Sequence, residues 1–281
     1  MTKRISMVTV FIALLIGYGV TATGLKKERV EFIEDQFLEY TLPSALLKPL
    51  SLEFKGLMSD ILLVKFMTFV GGKTERLDQF TDEDWGSIKH TLNTITDLDP
   101  YFWDAYLFSQ VFLTWDKKNY RAANELLAKA RNHLPANYRI PYYMGLNYYN
   151  FGKDSANGAK YLMEASKIPG APFYLATLAA RLSAYSSDYQ RGIIFLSEML
   201  KQTTDTEIAE QYKLRIQILA QMNGLEQLVA KFRAKFNRAP AELAELVAAG
   251  LIQQLPVDPY GGQFFINQEG RIDTTSKMVK K

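Results

Sequence analysis

Side chains able to do acid–base or ligand chemistry are few and scattered. His90 and His133 are the only histidines, and the chain has no cysteine. That removes disulfides, thiolate metal sites and a cysteine nucleophile, and leaves the chain indifferent to the redox state of its compartment. A metal centre or catalytic dyad needs partner residues, so lone histidines are read as structural or solvated. His133, near a predicted helix C-terminus, suits the dipole there. No phosphate-cradling glycine loop, zinc-binding histidine pair or nucleophile elbow occurs. Asp82-Glu83-Asp84 reads as a first helical turn that complements the helix dipole. An enzyme would have to bring carboxylates such as Asp99, Asp104 and Asp116 into one cleft. The expectation is therefore no catalytic residue, no metal and no cofactor: not an enzyme.

The elements that would position contact chemistry are better marked. With 281 residues, 48% of them apolar, there is enough material for one or two folded domains. The formal charge of +3 gives no hint of the basic face expected of a nucleic-acid binder. Ile5 to Thr23 is an apolar run preceded by Lys3 and Arg4 and free of charge until Lys26. As a helix it would span roughly 28 Å, close to a bilayer core. The preceding basic residues favour a cytoplasmic N-terminus, with the body across the membrane. Val20 and Ala22 also fit a signal-peptidase site, so an anchor and a cleaved signal peptide both stay open. Either way the body is expected to be exported, with a bacterial inner membrane and periplasm as the setting.

Lys26 to Tyr40 mixes charge with Val30, Phe32, Ile33, Phe37 and Leu38, as a linker helix interrupted by Pro43 and Pro49 would. Leu50 to Val70 is strongly apolar, but Glu53, Lys55, Asp60 and Lys65 would each cost about 2.5–3.5 kcal/mol at mid-bilayer. It is read as a buried helix ended by Gly71-Gly72. Thr81 is an N-cap candidate for a helix running to Leu98. Further helices are expected over Tyr101–Trp115, on to His133 after a turn at Asp116–Asn119, and over Phe173–Ser186 and Asp188–Gln202. A last pair, Glu207–Met222 and Leu225–Asn237, is expected to be broken at Asn223-Gly224.

One spacing recurs. Ala123, Leu127 and Ala130 precede Pro135; Gly158, Leu162 and Ala165 precede Pro169; Gly192, Leu196 and Met199 form the third copy. The copies lie 35 and 34 residues apart. Pro141, Met144, Gly145 and Tyr148 add a first-helix pattern, with proline where tryptophan is usual. On these residues the chain resembles the tetratricopeptide repeat family over Leu50 to Phe236. The resemblance implies an all-α solenoid of helical hairpins that presents a concave face to other proteins. A glycine at Gly145 would let the two helices of one unit approach closely. In that frame Arg139, Tyr142, Leu146, Tyr149 and Asn150 line the concave face, followed by Phe173, Ala176, Ala180 and Ser183 in the next unit. Aromatic rings beside Arg and Asn suit peptide capture. Tyrosines that merely fill the fold are the alternative.

The tail differs. Arg238, Pro240, Gly250, Leu251, Leu255-Pro256-Val257-Asp258-Pro259-Tyr260-Gly261-Gly262 and two short apolar runs follow in order. This segment resembles the periplasmic end of type II secretion pseudopilins and related pilin-like proteins. Gln263–Asn267 and Arg271–Thr274 read as a β-hairpin. Calcium binds this loop in some of that family, and Asp258 matches the segment, but only Glu269 and Asp273 stand near it. The N-terminus lacks the prepilin signature.

The domain division expected is thus 1–25 as anchor or signal, 26–49 as linker helix, 50–224 as solenoid, and 225–281 as last helix and pilin-like cap with a hairpin. The function expected is a membrane-tethered periplasmic adaptor. It would bind proteins or peptides, with no nucleic acid, in assembly of a pilus, secretion or extracellular-filament machine. The alternative is a periplasmic solute- or glycan-binding protein using the aromatic groove.

Overall fold

The computed structural model describes residue 11 and residues 14–25, 41–115, 119–276 and 278. Most of these are helical, and the only strands among them form one two-stranded sheet. The expected linker helix at 26–40 and the turn at 116–118 lie outside the described residues, as does much of the apolar run from Ile5. Residues 14–25 are helical and almost wholly exposed. Among the described residues, no helix is long and apolar enough to cross a membrane. The chain divides into two compact units, Met1–Val111 and Phe112–Lys281.

In the first unit a short helix α1 (Ser44–Leu50) precedes α2 (Lys55–Glu75) and α3 (Asp82–Leu98); α4 (Trp103–Trp115) begins in this unit and ends in the next. Leu62, Leu63, Phe66, Phe69 and Val70 of α2 are buried, as are Ile88, Leu92, Ile95 and Leu98 of α3. The Ser59 hydroxyl donates to the Ile95 carbonyl at 2.7 Å, a buried link between the two helices. Thr81 caps α3 reciprocally: its hydroxyl accepts from the Asp84 N–H, and the Asp84 carboxylate accepts from the Thr81 N–H at 2.7 Å. The first residues after 40 are tied to α3, where the Thr91 hydroxyl donates to the Thr41 hydroxyl and His90 Nε2 contacts the Thr41 carbonyl at 2.9 Å.

Both ends of α2 differ from the expectation. α2 starts at Lys55, because Ser51–Phe54 form a turn with Leu52 in the left-handed region, φ 47°. It then runs through Gly71 and Gly72 to Glu75. Glycine in a helix costs about 1 kcal/mol. The added turn carries Lys73, whose ammonium pairs with Asp84 at 2.5 Å and lies over the rings of Phe69 and Phe80.

The second unit is a run of helices, each packed on the next: α5 (Tyr120–His133), α6 (Arg139–Asn150), α7 (Ser155–Ser166), α8 (Tyr174–Tyr185), α9 (Tyr189–Gln202) and α10 (Thr206–Phe236). Two connections repeat the same chemistry 34 residues apart. Lys153 and Ser187 both adopt positive φ, at 53° and 60°. Asp154 and Asp188 follow, each accepting a backbone N–H three residues on as an N-cap. Gly158 and Gly192 come next. A Cβ on Gly158 would sit 3.3 Å from the Gly145 carbonyl oxygen, and one on Gly192 would sit 3.1 Å from that of Ala180. These helices approach closely because the side chain is missing.

The break expected at Asn223-Gly224 is absent. α10 is continuous over 31 residues, so the expected boundary between 224 and 225 falls inside one helix. Its buried face continues through Leu219, Met222, Leu225, Val229 and Phe232, and Asn237 in the left-handed region ends it. The tail then turns back through α11 (Ala244–Ala248) to β1 (Phe264–Ile266) and β2 (Ile272–Thr274), paired antiparallel with Phe264 opposite Thr274. The hairpin rests on α10, where the Glu226 carboxylate accepts from the Ile272 N–H at 2.8 Å. Gly261 is needed for its φ of 79°, but Gly262 for space: a Cβ there would lie 2.6 Å from Asp258 Oδ2 and from the Ser276 nitrogen.

Candidate functional site

α6 places Tyr142, Leu146 and Tyr149 on one face, and all three are half-buried; Arg139 and Asn150 at its two ends are exposed. Phe173, 46% exposed, immediately precedes α8, where its carbonyl lies 3.5 Å from the Tyr212 hydroxyl. Burial raises the Tyr142 hydroxyl above its ordinary pKa, and the neighbouring Tyr174, Tyr143 and Tyr138 reinforce the shift. Tyr143 packs on Tyr142 with ring centroids 5.1 Å apart. Tyr148 points elsewhere, stacking flat on Tyr161 at 5.4 Å.

Tyr149 is engaged within the fold. Its ring stacks on Tyr185 at 6.3 Å. Tyr185 accepts a hydrogen bond from Arg181 Nε at its hydroxyl, 2.6 Å, and the Arg181 guanidinium lies over the same ring. The Tyr185 carbonyl accepts from Arg271, the residue before β2. Nearby, Arg215 is 6% exposed, donates to the Met278 carbonyl at 2.7 Å and stacks over Tyr260. Desolvation pulls its guanidinium below the ordinary pKa. The tail therefore docks beside the aromatic face through Arg271, Tyr260 and Met278.

Ala176, Ala180 and Ser183, expected on an open groove, are buried instead, at 0%, 0% and 1% exposure. α8 packs against α7, α9 and α10, so its small residues are contact points between helices. What remains accessible in this region is Arg139, Asn150, Phe173 and the adjoining Tyr174, which is 49% exposed. Sequence reasoning missed Tyr174, Tyr185, Arg181, Arg271 and Tyr260. The four-residue interval from Arg181 to Tyr185 was a readable signal; the arrival of the tail had none.

The other candidates have structural employment. Asp99 accepts from the Tyr101 N–H at 3.0 Å beyond the end of α3, and Asp104 lies in the first turn of α4. Asp116 lies outside the described residues. Asp258 is 2% exposed; its carboxylate accepts from the Tyr260 N–H at 2.7 Å and from the Thr274 hydroxyl, clamping loop to strand. Glu269 pairs with Arg271, and Asp273 accepts from the Thr274 N–H. Among the described residues no group of three His, Cys, Asp or Glu is placed to hold a metal ion.

No protein-family profile, curated protein or solved structure matches this chain.

Proposed function

We propose that the chain is a non-enzymatic, membrane-tethered scaffold, with its helical body exported and its partners proteins or peptides. The observation that carries this is the recurrence, 34 residues apart, of a left-handed turn, an Asp N-cap and a close-packed glycine in successive helical hairpins. Hairpins joined this way supply broad, ordered surface in place of a reaction cleft, as in repeat proteins of tetratricopeptide type. The apolar run from Ile5 to Thr23 supplies the tether. The likeness of the tail to pilin-like proteins makes an envelope machine (a pilus, secretion or filament system) the class of assembly to look in.

Partner contact falls on Arg139, Asn150, Phe173 and Tyr174, because Tyr149 is already stacked on Tyr185. The docked tail also counts against a solute- or glycan-binding groove here. A photo-crosslinking amino acid at Phe173, in full-length protein in native membranes, tests both steps. One discrete envelope protein captured, with the chain resisting alkaline extraction, is the expected result. Absence of any protein adduct from correctly folded, membrane-held chain would overturn the scaffold; release by alkali would overturn the tether.

A further inference from the structure

Arg215 on α10 is a buried cation without an anion. Among the described residues it is the only buried basic side chain, 6% exposed, and no carboxylate pairs with it. Nη1 donates to the Met278 sulfur and Nη2 to the Met278 carbonyl, while Nε has no partner. The Tyr260 ring lies 5.3 Å from the guanidinium, and the nearby cation Arg181 adds repulsion. A charge taken out of water is normally paired, because neutral hydrogen bonds repay only part of its lost hydration.

Met278 is a weak stand-in for that anion. Its thioether is a poor acceptor. Its backbone sits at φ 51°, a region where a bulky side chain is strained. Residues 274–281 hold three lysines and no Asp or Glu, so no side-chain anion arrives with it. Nε and Nη2 share one edge of the planar guanidinium, and the Met278 carbonyl fills only the Nη2 arm. A carboxylate has two oxygens and takes both arms in parallel bonds. The place adjoins the accessible surface. Arg215 lies one helical turn beyond Tyr212, whose hydroxyl meets the Phe173 carbonyl. Arg181 lies two turns beyond exposed Tyr174 on the same face of α8.

We infer that Arg215, with Arg181 beside it, is a carboxylate-binding site closed by Met278, and that an incoming carboxylate takes the Nε–Nη2 edge as Met278 leaves. The exchange replaces a neutral carbonyl with a full negative charge, roughly doubling the strength of each bond to Arg215. The source of the carboxylate rests on the scaffold proposed above: an acidic side chain or chain end of the protein partner that touches Phe173 and Tyr174. A small free carboxylate is the other source, and two probes tell them apart.

Met278 is 3% exposed, so its oxidation by dilute hydrogen peroxide, read by peptide mass spectrometry, reports its displacement in the unaltered full-length chain in mild detergent. The probes are a capped tetraglutamate peptide, the matching tetraglutamine peptide, and sodium acetate. Saturating tetraglutamate is expected to raise Met278 oxidation several-fold and to leave Met222, 1% exposed in the core, unchanged. Tetraglutamine is expected to do neither. Affinity follows from fluorescence anisotropy of labelled tetraglutamate. Arg215→Lys keeps the charge but loses the fork, and should weaken binding about tenfold or more. Met278→Glu supplies a tethered carboxylate and should abolish binding of the probe, whereas the neutral Met278→Gln should keep it. Circular dichroism confirms that each variant is folded. Met278 oxidation unmoved by both carboxylates, or moved equally by tetraglutamine, would overturn the site and leave the scaffold to the crosslinking test at Phe173. Binding that survives Met278→Glu, or that folded Arg215→Lys does not weaken, would also overturn the site. Acetate acting at concentrations as low as tetraglutamate would keep the site and overturn the protein partner as its source.

Discussion

Replacing Gly224 with alanine should stabilise the second unit, and the sign of the effect decides how α10 is built. Asn223-Gly224 looks like a turn, and in a turn the glycine would adopt positive φ, where a Cβ is strained. In the continuous helix Gly224 has no positive φ, and a Cβ there meets nothing within 4 Å. Alanine is favoured over glycine in a helix interior by about 1 kcal/mol, part of it from a less disordered unfolded chain. For a unit of this size that raises the melting temperature by roughly 2–4 °C. Gly145 provides the contrast. There the same substitution gains the same propensity, but its Cβ would lie 3.0 Å from the Gly158 carbonyl oxygen and 3.0 Å from Leu162 Cγ. Overpacking of this kind costs about 1–3 kcal/mol, so Gly145→Ala should be neutral to destabilising. Thermal and urea unfolding followed by far-ultraviolet circular dichroism reads both variants. A loss of about 1 kcal/mol or more in Gly224→Ala would refute the continuous helix. Equal gains in both variants would refute the close approach of α6 and α7.

Thr81→Ala should cost the first unit about 1 kcal/mol by removing the α3 cap, whereas Thr81→Ser should restore most of it; urea unfolding distinguishes them. Burial, reinforced by the charges of Asp97 and Asp99, pushes the Tyr106 hydroxyl up to about 12. Its neutral form is favoured in the fold, so its contribution is intact below the ordinary tyrosine value near 10 and is lost as pH rises from there through about 12. Ultraviolet difference titration should show a late-ionising tyrosine step that is absent in Tyr106→Phe, with Tyr189, raised further by burial and Glu226, ionising later still. Gly262→Ala should loosen the loop clamped by Asp258, seen as faster amide exchange over β1 and β2 than in Gly261→Asn, which keeps an αL-tolerant residue. Tyr185→Ala removes the stack under Tyr149 and should raise quenching of Tyr149 by soluble quencher while α8 stays helical.

Local chemistry with a local consequence was legible in the sequence. The Thr81 cap, the helices ending at His133, Tyr185 and Gln202, and the terminal hairpin all follow from short-range patterns in the chain. Gly71-Gly72 and Asn223-Gly224 carried equally plain local signals, yet both lie inside helices. Lys73 with its Asp84 partner, and the buried row from Leu219 to Phe232, outweigh about 1 kcal/mol of glycine penalty. The aromatic face was half legible. Helical spacing put Tyr142, Leu146 and Tyr149 together. That Tyr149 is met by Tyr185, and Tyr185 by Arg271, depends on contacts spanning 36 and 86 residues, which no pattern in the chain marks.

The return of the tail has a consequence for the order of events during synthesis. Met222, Leu225, Val229 and Phe232 form one side of α10, and Glu226 receives Ile272 only after nearly fifty further residues have been made. At roughly 5–20 residues per second, translation leaves the helix without that strand for several seconds. During that interval the core lacks Leu243, Leu246, Phe264 and Ile272, and Glu226 holds only the Tyr189 hydroxyl of α9. Premature termination between Asn237 and Leu243 would make that loss permanent, and such fragments should be recovered bound to chaperones or as aggregates. Arg215 holds the Met278 carbonyl, so Met278 acts as a latch on the returned tail and ends this vulnerable phase.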